Sequence, residues 1–90
     1  MARVVDETVA RLPIHNHGSE LLEVVLEPYG RDYHLRSDET LIVHTAGTTR
    51  ESEPFGVDFH PDFIQVHFNG AVGWVTGPDG NELDCGHQRP

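Results

Sequence analysis

Leu22-Glu23-Val24-Val25-Leu26-Glu27-Pro28-Tyr29-Gly30-Arg31-Asp32-Tyr33 is the stretch on which the fold turns. Leu22, Val24 and Leu26 alternate with Glu23, Val25 and Glu27, the period of two that sets one side of a strand against a core and the other against water. Glu27-Pro28-Tyr29-Gly30 then halts the strand, with proline at the second turn position and glycine at the fourth, and a positive φ is expected at Gly30. Tyr33 and Leu35 resume the alternation against Asp32, His34 and Arg36.

Outward from that hairpin the same grammar repeats. Arg36-Ser37-Asp38-Glu39 leads into a strand over Thr40 to Thr45, read as the hairpin partner of the strand through Tyr33 and Leu35. Residues 46–54 carry no bulky apolar side chain, which predicts a mobile polar loop. Val57 and Phe59, the turn His60-Pro61-Asp62-Phe63, and then Ile64, Val66 and Phe68 make a further strand pair. Asn69-Gly70 is the strongest short hairpin signal in the chain and points onward to a strand with Val72, Trp74 and Thr76. Gly77-Pro78-Asp79-Gly80 is a turn before a last short strand with Leu83 and Cys85. Upstream, Val5, Val9 and Leu12 recur at helical spacing, so residues 1–12 fit a short helix, an arm or a first strand. Seven to eight short strands in 90 residues specify a single all-β domain over 1–90, a small antiparallel β-sandwich or open barrel. Trp74, Phe59 and Phe68 are assigned to its core.

Composition narrows the function classes. The net charge is −9, lysine is absent, and residues 51–90 hold seven carboxylates against Arg89 alone. A surface of that sign argues against nucleic acid as a partner. No apolar run reaches the roughly 18 residues of a membrane span, and the N-terminus lacks the basic-then-apolar order of a secretory signal. Cys85 is the sole cysteine, so no internal disulfide forms, and a reducing, cytoplasmic location is expected.

The run Leu22 to Tyr33, with its Glu27-Pro28-Tyr29-Gly30 turn, resembles a stretch of small uncharacterised bacterial all-β domain proteins that show a hydrophobic strand followed by Glu-Pro-aromatic-Gly. Ser37-Asp38 stands where those proteins carry Pro-Gly. The tail Cys85-Gly86-His87-Gln88-Arg89-Pro90 also looks like theirs. The resemblance implies a β fold and no particular activity.

Two readings of function follow from the residues. Cys85 and His87 are spaced wrongly for a thiol and its base, Asp79-Gly80-Asn81-Glu82 is only a fragment of a calcium loop, and neither a nucleophile elbow nor a phosphate loop occurs. No cofactor is called for. The leading reading is therefore a non-enzymatic protein-binding or accessory module, with Tyr29, Arg31 and Tyr33 at the turn as its contact residues. Self-association as a homodimer through a strand edge is expected, with Ile64 to Phe68 as the pairing strand, because lysine, the usual edge blocker, is missing. The alternative is a cupin-like metal-binding protein or enzyme. His15 and His17 share one side of a strand, and His60 or His67 would complete the ligand set.

Overall fold

The computed structural model describes residues 8–48 and 53–90. Seven strands follow one another: β1 Thr8–His15, β2 Leu22–Glu27, β3 Arg31–Leu35, β4 Thr40–Thr48, β5 Phe55–Phe59, β6 Phe63–Phe68 and β7 Val72–Thr76. They form an open sandwich, a three-stranded sheet ordered β1-β4-β7 against a four-stranded sheet ordered β3-β2-β6-β5. Every pairing is antiparallel except that of β2 with β6, which run parallel with Val24 beside Ile64 and Leu26 beside Val66.

The alternation read in the deciding stretch sets the core. Val24 and Leu26 of β2 and Tyr33 and Leu35 of β3 meet Val66 and Phe68 of β6, and across the interface Leu41, Val43 and Val75, all buried in one cluster. Each such side chain withdrawn from water contributes about 1.5–3 kcal/mol. Gly30 takes the expected positive φ of 71° in the turn that joins β2 to β3. The β5–β6 hairpin across His60 to Asp62 is also as read.

Two expected hairpins are instead crossings between sheets. β3 and β4 do not pair, because the chain is captured as it leaves β3. Asn16, 5 % exposed, donates from Nδ2 to the carbonyls of Leu35 and Glu20. Its own carbonyl accepts from the Asp38 N–H, and its N–H donates to Glu39, so the Arg36 to Glu39 turn is tied to the end of β1. Asn69-Gly70 likewise carries the chain from β6 across to β7. The Gly70 N–H donates to Thr45 Oγ1, and that fully buried hydroxyl donates to the Val72 carbonyl. A Cβ on Gly70 would lie 2.3 Å from the Ala46 carbonyl oxygen, so the approach of backbone to backbone demands glycine here and the Asn-Gly pair serves contact rather than reversal.

Of the helix, arm or first strand read over 1–12, residues 8–12 take the strand alternative as part of β1, and no helix is present among the described residues, with 1–7 outside them. Other expectations are corrected. The polar loop expected over 46–54 starts later: Ala46, Gly47 and Thr48 continue β4, while 49–52 lie outside the described residues. Gly47 has a φ of 85°, and its Cβ would touch the Ala71 Cβ at 3.0 Å. Leu83 and Cys85 form no strand. The C-terminal segment instead makes isolated bridges, Glu82 to Thr76 and His87 to Tyr33. In β7 the inward residues are Gly73 and Val75, which leaves Trp74 on the outer side, stacked on His44 at 5.1 Å. Burial first, then the Arg11 cation, lowers the pKa of that histidine. Phe59 is 78 % exposed rather than core. Finally, β6 is flanked by β2 and β5, so Ile64 to Phe68 is not an edge and cannot be a pairing strand.

Candidate functional site

Four strands border the two sheets, and hydrogen-bond phase shows what each presents outward. In β1 the Asn16 N–H reaches the Glu39 carbonyl, so even-numbered residues point their backbone groups at β4 and odd-numbered ones point away. Pro13 therefore sits at an outward position and removes a donor from the middle of that edge. A register shift between Thr8 and Val9 irregularises the same strand. β7 is partly covered, since its Val75 carbonyl accepts from the Leu83 N–H.

The outward groups of β3 are covered by the tail at the Asp32 carbonyl and at both backbone groups of His34. The Asp32 carbonyl accepts from the Gly86 N–H at 2.6 Å, and the His34 N–H donates to the His87 carbonyl at 2.9 Å. The His34 carbonyl accepts from Gln88 Nε2. Side chains lock this cover in place. Arg89 grips the Asp32 carboxylate with two parallel N–H donors, Nε to Oδ2 at 2.9 Å and Nη2 to Oδ1 at 2.5 Å. His34 Nε2 lies 2.9 Å from the same Oδ2, and Cys85 Sγ donates to Oδ1 at 3.6 Å. The Arg89 guanidinium, and after it His34, hold the Asp32 carboxyl well below the ordinary carboxylate range. Gln88 also donates to Glu39, and that bond is the main cause of a lowered Glu39 pKa.

Ligand atoms of Glu23, Asp32 and His34 lie within 4.8 Å of one another, which raises the question of a metal. The donors do not suit one as they stand. Both Asp32 oxygens are taken by the Arg89 fork, and an incoming cation would have to expel a guanidinium from a bidentate, charge-assisted pair. The arrangement is that of a latch between tail and sheet.

β5 is built differently. His60 donates to the Phe63 carbonyl and Pro54 accepts from the Asn69 N–H, so the even-numbered residues of β5 face β6. Phe55, Val57 and Phe59 then direct their N–H and C=O groups outward, and among the described residues nothing pairs with them. Their side chains lie on the inner side of the sheet, yet Val57 is 40 % and Phe59 78 % exposed, because among the described residues no strand continues the sheet beyond them. With Leu12, Pro13, Ile14 and His15 of β1 and Ile64 of β6, Val57 and Phe59 line a mostly apolar groove of about 400 Å³ at the open side of the sandwich.

The residues singled out in the sequence scatter. Tyr29 is 43 % exposed, with its ring 5.0 Å from Phe68 and the Arg31 guanidinium 4.6 Å above it. Tyr33 is in the core at 2 % exposure and offers nothing to a partner, and its burial raises its pKa. His15 and His17 do come together, ring centres 4.3 Å apart, but His15 is already bound to Thr40 Oγ1 at 2.6 Å and Asp38 at 3.1 Å. His60 stacks on Phe63 in the β5–β6 turn and contacts Gln65, whereas His67 lies 3.4 Å from Asp58. Among the described residues these four histidines form no common cluster. The Asp32 latch and the open β5 edge escaped sequence reasoning, because one depends on Arg89, 57 residues from Asp32, and the other on strand order.

The chain matches no protein-family model, no curated protein and no solved structure.

Proposed function

We propose that this domain is a non-enzymatic binding module that takes up an extended polypeptide by strand addition at β5. One observation carries the reading: among the described residues β5 has an unpaired backbone edge running beside an apolar groove, where Phe59 is 78 % exposed. Backbone hydrogen bonds to Phe55, Val57 and Phe59 supply affinity, and alternate side chains of the incoming strand enter the groove. Tyr29 and Arg31 stand on the turn that follows β2 and form a secondary contact surface at most.

Selection of a displayed random-peptide library on the purified chain tests this. The expected winners are uncharged or basic, alternate apolar with polar residues, lack central proline, and lose binding to Phe59→Arg but not to Tyr29→Ala. Winners that ignore Phe59→Arg and need Tyr29 would move the contact surface to the turn. A stoichiometric transition metal in the purified chain, lost on Asp32→Asn, would favour the metal-binding reading instead.

A further inference from the structure

Resting on that reading of β5, we infer that the strand's partner is a second copy of the same chain, joined about a two-fold axis at Val57. Phe55-Gly56-Val57-Asp58-Phe59 is nearly palindromic in character. Antiparallel pairing of β5 with its copy sets Val57 opposite Val57, Phe55 opposite Phe59, and Gly56 opposite Asp58. The outward phase of the odd residues makes Val57 a hydrogen-bonded pair with itself and Phe55 a hydrogen-bonded pair with Phe59. A continuous eight-stranded sheet results.

The side chains suit that register and no neighbouring one as well. On the inner side two Phe55–Phe59 pairs flank the central valines, extending the apolar grooves of both copies toward each other. On the outer side the only charge on the strand, Asp58, faces a glycine. The two Asp58 carboxylates become diagonal neighbours about 7–8 Å apart, near the Debye length at physiological salt. Shifting the register by two residues would set Asp58 directly opposite Asp58 or leave Phe59 without an aromatic partner.

The other borders explain why β5 is the pairing strand. β1 carries Pro13 at an outward position, and residues 86–88 cover the outward Asp32 carbonyl and the His34 N–H and carbonyl of β3. Part of β7 is covered by Leu83. Within β5 there is no proline, no bulge and no lysine.

Gly56 tests the register directly. Its Cβ would meet nothing within 4 Å, so charged side chains fit there without disturbing the monomer, and in the dimer each falls opposite Asp58 at the close, non-hydrogen-bonded position. Sedimentation of the full chain over micromolar to millimolar concentration should show a reversible monomer–dimer equilibrium. Gly56→Asp should weaken it, and Gly56→Arg tighten it, each by roughly 2- to 30-fold, with two pairs changed per dimer. Circular dichroism confirms that both variants remain folded. A chain that stays monomeric throughout, yet still binds a library-selected peptide at β5, overturns the homodimer and spares strand addition. A dimer indifferent to both Gly56 variants places the interface elsewhere and overturns it as well. Loss of both dimer and peptide binding defeats the two readings together.

Discussion

The two borders of the four-stranded sheet face opposite fates. At β3, the tail supplies a carbonyl, an amide N–H and a side-chain amide to the backbone, and the Arg89–Asp32 pair clamps it there. At β5, the same kind of edge is left with three outward residues and an exposed phenylalanine. Both strands are five residues long and both carry inward aromatics. The difference teaches that a sheet of this size closes an edge by spending chain on it, and that the edge without such cover is the one able to recruit a strand from outside.

Removing the cover should have the largest effect. A chain ending after Cys85 loses the Gly86, His87 and Gln88 hydrogen bonds, together about 2–4 kcal/mol of stability in urea unfolding, along with the solvent-exposed Arg89 fork. Its β3 edge should then behave like β5, so light scattering should show higher-order species where the full chain stops at a dimer. Unchanged stability would mean that the tail does not protect this edge.

Asp32→Asn is a milder break in the same latch and gives it a pH signature. Folding lowers the Asp32 pKa, so its contribution is fully present above the unfolded carboxyl value near 4 and shrinks as pH falls below that toward the lowered folded value. The stability advantage of wild type over Asp32→Asn should therefore narrow from about pH 4 downward. An advantage that grew in acid would show that the carboxylate is not held by Arg89 and His34.

The local part of this architecture was legible in the sequence, and the part set by strand order was not. β2, the Gly30 turn and β3 could be read because alternation and turn chemistry act over a few residues. Phe59 lies on the side of its strand that the alternation predicts, but whether an inward side chain is covered depends on what lies beyond the strand, and among the described residues β5 has no outer neighbour. Trp74 was assigned to the wrong side because Gly73, lacking a side chain, hides the inward phase of β7; the space a side chain would fill there is taken by the Phe68 ring. Asn69-Gly70 looked like a reversal because nothing local announces that the buried hydroxyl of Thr45 receives the Gly70 N–H. Asp32 and His34 were visible as residues, but their role depends on a tail that arrives from the far end of the chain.

Three glycines give the smallest contrast. Gly47→Ala combines a positive φ with a close Ala71 contact and should cost about 1–2 kcal/mol in thermal or urea unfolding, unlike a change in the mobile polar loop that the sequence predicts over 46–54. Gly30→Ala, strained by φ but with open space around it, should cost about 1 kcal/mol. Gly56→Ala on the bare edge should fall within about 0.5 kcal/mol of wild type. Equal losses at all three would erase the distinction between the positive-φ glycines of β4 and the β2–β3 turn and the open strand.

Amide hydrogen exchange, followed by NMR in the Gly56→Asp chain at low concentration, tests the difference between the two edges most directly. The expected result is a protected His34 amide, held by the His87 carbonyl, beside fast-exchanging Val57 and Phe59 amides on β5 that gain protection in wild type as concentration rises. An exposed His34 amide, or Val57 and Phe59 amides equally protected in the dilute variant, would contradict it.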